Sequence, residues 1–163
     1  MPKVVVIYDS RTGNTERMAV AVAEGARSVK GVDVSVTKVS GLRPVVSYAE
    51  LRGLEEVTVV KPSDLVKADA IIIGSPTHYH TVTSRLSALL DKVVGSSLRG
   101  KVGAAFGSYL WEGEAVEDLN RAMIGSGMEL VSQGVRVKGA PKDEDLSRCY
   151  SLGRGVAQRL LKK

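Results

Sequence analysis

The chain has 163 residues, the length of one domain on the usual range of about 100 to 200. Broadly apolar residues make up 44% and charged residues 25%, which supports one buried core and excludes a disordered chain, and the apolar runs are too short to cross a bilayer. The 23 Lys and Arg against 18 Asp and Glu give a net +5, but the excess is spread along the chain and only five Tyr, one Trp and one Phe accompany it, so neither a basic nucleic-acid-binding arm nor a base-stacking platform is expected.

The first element is the β-branched run Val4-Val5-Val6-Ile7-Tyr8, the pattern of a central strand buried on both faces of a parallel sheet. From Thr15 to Val29, apolar residues recur at Met18, Ala19, Val22, Ala26 and Val29, one stripe of a 3.6-residue period, and Gly31 supplies a stop. A second strand is expected over 32–39. Residues 40–61 are long for a connection and read as an insertion, with a helical turn over 48–54 and a short strand over 57–60 near the sheet edge. Ala70-Ile71-Ile72-Ile73-Gly74 is a third strand, followed from Ser84 by a helix with Leu86, Leu89, Leu90 and Val93 on one face. Residues 101–107 predict a fourth strand, 114–124 a helix, 128–137 an uninterrupted fifth strand and 143–161 a last helix. Strands alternating with helices in this way imply βαβ units, hence a three-layer α/β sandwich around a five-stranded parallel sheet. The single Cys149 lies on the inner stripe of the last helix and reads as a buried, inert thiol; it excludes an intrachain disulfide, and no apolar leader follows Met1, so a cytoplasmic protein is expected.

The segment Tyr8-Asp9-Ser10-Arg11-Thr12-Gly13-Asn14-Thr15 joins a buried strand to an amphipathic helix. Hydroxyls of Ser10, Thr12 and Thr15, the Asn14 amide and the free N–H groups of a helix start converge there, where the helix dipole favours an anion. Gly13 permits a tight turn and close approach of a ligand. The residues suit a phosphate, although a capped turn would use the same types. The run is neither a Walker A loop nor Gly-x-Gly-x-x-Gly, so nucleotide hydrolysis and dinucleotide binding lose support.

Ser10-Arg11-Thr12-Gly13-Asn14-Thr15 resembles the Thr/Ser-x-Thr-Gly-x-Thr phosphate loop of the flavodoxins. Two later segments agree with it. Gly74-Ser75-Pro76-Thr77-His78-Tyr79-His80 resembles the family's first isoalloxazine loop, and Phe106-Gly107-Ser108-Tyr109-Leu110-Trp111-Glu112-Gly113 resembles its second. The likeness is strongest to the flavodoxin domain of A-type flavoproteins, the flavo-diiron proteins, and covers nearly the whole chain outside 40–61. It implies the strand order 2-1-3-4-5 of the short-chain type and FMN as cofactor. The implied cofactor residues are Ser10, Arg11, Thr12, Gly13, Asn14 and Thr15 at the phosphate, with Pro76, Thr77, His78, Tyr79, Ser108, Tyr109, Leu110, Trp111 and Gly113 around the ring. With His78 and His80 the only histidines, no di-iron centre is expected, and the chain resembles a free-standing flavodoxin module.

Some residues depart from the family pattern. Leu110 stands where the A-type loop has Gly, no glycine lies between Pro76 and Thr81, and the chain is basic where typical flavodoxins are acidic. Arg11, Arg85, His78 and His80 would place positive charge near a ring and make its full reduction easier than in acidic relatives. The expected function is therefore FMN-dependent electron transfer to redox partner proteins, an acidic partner among them, by a monomer or homodimer, with no nucleic acid and no membrane. The alternatives are an NAD(P)H:quinone oxidoreductase of the same superfamily and a flavin-free interaction module.

Overall fold

The computed structural model describes residues 1–39, 58–59, 61–77, 82–91 and 96–163. The expected helical turn over 48–54, Val93, and His78 to His80 lie outside the described residues. In chain order the elements are β1 (Lys3–Tyr8), α1 (Asn14–Arg27), β2 (Asp33–Lys38), β3 (Thr58–Val59), α2 (Pro62–Lys67), β4 (Ala70–Gly74), α3 (Ser84–Asp91), a 3-10 turn (Ser96–Leu98), β5 (Val102–Tyr109), α4 (Ala115–Gly125), β6 (Glu129–Leu130), β7 (Val135–Lys138) and α5 (Asp143–Leu161).

All strands pair in parallel, in the order β3-β2-β1-β4-β5-β6, with β7 also on β5. This is the expected 2-1-3-4-5 arrangement, with β3 added at the edge beside β2. Alternation along each strand divides the core into two layers. Val4, Val6 and Tyr8 of β1, with Ala70 and Ile72 of β4, meet α1 and α5. Val5 and Ile7, with Ile71 and Ile73, face Leu65, Leu86, Leu89, Leu119 and Met123 of α2, α3 and α4. Burial on both faces explains why these strands read as continuous apolar runs rather than alternating ones.

Helices α1 and α5 approach so closely that glycine is required on each. A Cβ on Gly25 would lie 1.9 Å from the Tyr150 carbonyl oxygen, and one on Gly153 would lie 1.9 Å from that of Val22. The short helix α2 was not anticipated from the sequence. Pro62 occupies its first turn, and the Asp64 carboxylate accepts the Lys61 N–H at 2.8 Å, a cap that ties its start.

The expectation of an uninterrupted fifth strand is corrected. Between the pairs Gly103↔Leu130 and Phe106↔Val135, β5 advances from 103 to 106 while its neighbour advances from 130 to 135. The extra chain bulges out over 131–134. Gly134 adopts φ +88° there, and a Cβ on it would lie 2.4 Å from the Ala105 carbonyl oxygen. The bulge is held by Ser132 Oγ, which accepts the Gly134 N–H at 3.1 Å, and by Asn120 Nδ2, which donates to the Gln133 carbonyl at 3.0 Å. The interruption falls on the polar run Ser132-Gln133-Gly134, where the close approach of Gly134 to Ala105 sets the backbone.

Candidate functional site

The parallel sheet delivers the carboxyl ends of β1, β4 and β5 to one rim, and in a doubly wound sheet that rim is where ligands bind. Backbone hydrogen bonds continue across it beyond the strand pairs. The Asp9 N–H donates to the Gly74 carbonyl (3.0 Å), Ser75 N–H to that of Phe106 (3.1 Å), Thr77 N–H to that of Ser108 (3.0 Å) and Gly139 N–H to that of Tyr109 (2.7 Å). The loops after the three strands thus share one hydrogen-bonded floor.

The loop after β1 enters α1 through Gly13, which caps the helix at φ 94°. That left-handed conformation is open to glycine at little cost and turns the chain abruptly into the helix. Ser10 is the hub of the turn: its Oγ accepts the N–H of Gly13 at 3.2 Å and that of Glu16 at 3.3 Å. The Arg17 N–H reaches the Gly13 carbonyl at 3.0 Å. The N–H groups of Asn14 and Thr15 precede the first full turn and have no carbonyl four residues back within the helix, which leaves the positive end of α1 facing the rim. Beneath the turn, Tyr8 donates its hydroxyl proton to Glu16 Oε1 at 2.9 Å, and both side chains are buried.

A cleft of about 650 Å³ opens above the floor, lined by Arg11, Thr12, Asn14, Pro76, Thr77, Ser108, Tyr109, Leu110, Trp111 and Glu112. That volume lies within the roughly 300–1,000 Å³ range of small-molecule sites. Its two ends differ in chemistry. The Arg11, Thr12 and Asn14 end, at the start of α1, offers a guanidinium, a hydroxyl, an amide and the helix dipole. The other end offers Tyr109, Leu110 and Trp111, with Leu110 64% and Trp111 90% exposed. A free Trp so exposed leaves a large apolar face without a covering group. This combination fits a flat, largely apolar ring system carrying a phosphate tail.

Of the residues expected from the sequence, nine line this cleft together: Arg11, Thr12, Asn14, Pro76, Thr77, Ser108, Tyr109, Leu110 and Trp111. Ser10, Gly13, Thr15 and Gly113 support it from behind. Ser10 and Gly13 shape the turn, and Thr15 Oγ1 is buried against Ser108 Oγ at 2.8 Å. A Cβ on Gly113 would lie 2.7 Å from the Tyr109 ring, so this glycine lets the ring fold over the loop. His78 and Tyr79 lie outside the described residues. Thr77 also ties two loops, because its Oγ1 accepts the Ala115 N–H at 3.3 Å, one of the open donors at the start of α4.

Glu112, Asp9 and Arg85 deserve equal weight and were not singled out as site residues by the sequence. Glu112 lines the cleft beside Trp111. The Asp9 side chain is wholly buried, and Arg85 lies across from it with Nε 3.4 Å from Oδ2 and a terminal nitrogen 3.4 Å from Oδ1. The positive charge that Arg85 was expected to bring near a ring is thus paired with a buried carboxylate. No local spacing links residues 9 and 85, so only the crossover from β1 to β4 and α3 could bring them together. Among the described residues no group of His, Cys, Asp and Glu is arranged to hold a metal ion, and no helix is long and apolar enough to cross a membrane.

Comparison with known proteins agrees with this geometry. A nitric oxide reductase of Moorella thermoacetica is 36% identical over 159 residues, covering 97% of this chain and 36% of that protein. A rubredoxin-oxygen oxidoreductase of Megalodesulfovibrio gigas is 29% identical over 161 residues, covering 99% of this chain and 36% of that protein. The chain thus spans about a third of the length of these curated relatives. A solved flavodoxin from the domain Archaea superposes with a TM-score of 0.80 at 32% identity, covering 98% of this chain and 99% of that one. The profile of the family described as NADPH-dependent FMN reductase matches residues 2–140. The chain thus belongs to the NADPH-dependent FMN reductase family and has the flavodoxin-like, FMN-binding fold.

Proposed function

We propose that the chain is an electron carrier that holds FMN in the rim cleft and passes electrons to and from redox partner proteins. The observation that carries this reading is the two-ended cleft, with an anion seat at the start of α1 and a slot beside Tyr109, Leu110 and Trp111. The match with a flavodoxin over 98% of this chain and 99% of that one supports a single flavodoxin-like unit over 1–163, with 40–61 as an insertion within it.

When bound, FMN supplies the redox chemistry, taking up and returning electrons. The chain's residues bind and orient it. Thr12, Asn14, Arg11 and the helix start hold the phosphate through charge-assisted hydrogen bonds. Ser10 Oγ already accepts two N–H bonds, which leaves its proton to donate outward to the same anion. Between Thr15 and Ser108 one hydroxyl donates to the other, and the remaining proton is free for the ligand. Pro76, Thr77, Tyr109, Leu110 and Trp111 bound the ring, with Gly113 giving Tyr109 room, and His78 and Tyr79 complete the first ring loop by sequence. Burial of one ring face excludes water, while the outer edge stays open for transfer to a partner.

The net +5 charge favours an acidic partner. A cytoplasmic monomer or homodimer is the proposed form, and gel filtration decides between the two. One observation favours a second reading, an NAD(P)H-dependent reductase: the family description itself. Against it, the chain passes from β5 to α4 through residues 110–114 alone, which leaves little wall for a nicotinamide pocket. The test is direct. Purified protein incubated with FMN should acquire the flavin visible bands and quench FMN fluorescence, and addition of NADPH or NADH with a quinone should give no sustained turnover unless a separate reductase is present. A colourless protein would sink the FMN reading, and steady turnover by the protein alone would replace the carrier with the reductase.

A further inference from the structure

Two loops of the rim are joined by an ion pair that none of the binding contacts uses. Asp9 stands between the last residue of β1 and the Ser10 hub, and its side chain is 0% exposed. Its Oδ1 accepts the Ser10 N–H at 2.9 Å. Among the described residues its Oδ2 has no hydrogen-bond partner, and the Arg85 guanidinium lies beside it, with Nε at 3.4 Å. Arg85 is in the first turn of α3, directly after the loop that supplies Pro76 and Thr77 to the cleft, and its side chain is 37% exposed. The base of that loop is closed a second time, because Ser75 Oγ accepts the Thr83 N–H at 3.3 Å. A wholly buried carboxylate facing one cation loses far more when that cation is removed than a surface pair would, because no water replaces it.

We propose that Asp9 and Arg85 form a positioning pair with two effects: a strut that locks the phosphate loop to the base of the first ring loop, and a charge balance that keeps Arg85 from acting as a free cation beside the redox site. This rests on the FMN reading above. The pair touches neither cleft nor ligand, so it acts through Ser10 on one side and through the Ser75–Thr83 closure on the other. The charge effect has a definite sign. Reduction adds negative charge to the cofactor, so exposing the Arg85 charge by removing that of Asp9 favours the reduced form, and removing Arg85 while Asp9 stays ionised disfavours it.

Three variants test this: Asp9→Asn, which keeps an oxygen acceptor for the Ser10 N–H but removes the charge, Arg85→Gln, and the two combined. FMN-free protein is followed by amide hydrogen exchange at Ser10 and Thr83, and FMN-loaded protein by redox titration and fluorescence affinity. The strut predicts faster exchange at Thr83 in both single variants and FMN affinity weakened about tenfold or more. The charge balance predicts a less negative midpoint potential for Asp9→Asn, a more negative one for Arg85→Gln, and a return toward the wild-type value in the combined variant. A merely structural role would move both single variants and the combination in one direction, which overturns the charge balance. Unchanged exchange at Thr83 overturns the strut. Wild-type protein that takes up no FMN refutes the functional reading instead, and the exchange experiment still decides the strut. Should Asp9→Asn fail to fold, Arg85→Gln set against Arg85→Lys supplies the charge comparison, because only the first removes the cation: the midpoint must become more negative in Arg85→Gln and stay near wild type in Arg85→Lys, and equal shifts in both overturn the charge balance.

Discussion

Replacing Gly153 by Ala should destabilise the protein while leaving its FMN site nearly intact. The new Cβ would lie 1.9 Å from the Val22 carbonyl oxygen, 2.8 Å from its carbon and 3.0 Å from the Ala26 nitrogen. All three are backbone atoms that no rotamer change can move. Ordinary contact needs about 3.4 Å or more, so α1 and α5 must part by about 1.5 Å along a seam that includes Met18, Ala19, Val22, Cys149, Val156 and Ala157. Overpacking of this kind costs about 1–3 kcal/mol, and a backbone contact belongs at the upper end or above it. Alanine returns about 1 kcal/mol through helix propensity. The net loss is about 2 kcal/mol or more, which for a domain of this size lowers Tm by roughly 4–8 °C. Gly25→Ala, pressed on the Tyr150 carbonyl, should behave alike, and the two together should cost less than their sum because the first opens the gap for the second. Urea and thermal unfolding of the FMN-free protein read the loss. FMN affinity of the folded protein should fall less than about threefold, because the start of α1 is fixed separately by Gly13 and Ser10. A Tm unchanged or raised by Gly153→Ala would show that the helices do not touch as described, and that helix propensity alone decides the outcome.

Thr12→Ala should weaken FMN binding about fivefold or more with no change in Tm, since Thr12 is exposed in the cleft, whereas Thr15→Ala should lower both, since it also removes the buried bond to Ser108; fluorescence titration and thermal melts separate the two. Trp111→Ala should leave the FMN-free protein within about 0.5 kcal/mol of wild type, its side chain being 90% exposed, yet reduce FMN affinity about tenfold; equal affinity would remove Trp111 from the ring site. Cys149 is buried and desolvation raises its thiol pKa from 9.0 to about 12. It should resist thiol reagents at pH 8 until the chain unfolds. Because the folded value is the higher one, the thiol's contribution to stability is complete below pH 9 and is lost as pH rises toward 12, so Cys149→Ala should flatten the alkaline limb of a stability-against-pH curve.

Much of this was legible because burial on both faces writes itself into β1 and β4 as unbroken apolar runs, and because α1 and α5 carry clear periodic stripes. The turn after β1 was legible for the same local reason: Gly13 and Ser10 act within a few residues of one another. Features that depend on distant chain escaped. The bulge over 131–134 follows from the approach of Gly134 to Ala105; its local sign is the polar, glycine-ended run Ser132-Gln133-Gly134, which a strand reading over 128–137 passes over. Asp9 reads as one more polar loop residue until Arg85 is brought to it. The sequence also ranks Ser10, Thr12 and Thr15 alike, and it is silent on their burial: Ser10 and Thr15 are buried and held by hydrogen bonds of their own, while Thr12 is exposed in the cleft.

The hydrogen bonds that run on past the strand ends have a kinetic consequence. The floor under the cleft, from Asp9–Gly74 through Ser75–Phe106 to Thr77–Ser108, cannot open without breaking bonds continuous with the sheet itself. Its amides should therefore exchange with solvent on the timescale of global unfolding rather than of loop motion. A bound molecule consequently has no way out from below. Release should therefore run through the outer lip, where Leu110 and Trp111 stand exposed, and substitutions there should retune it without touching the architecture that confers the fold.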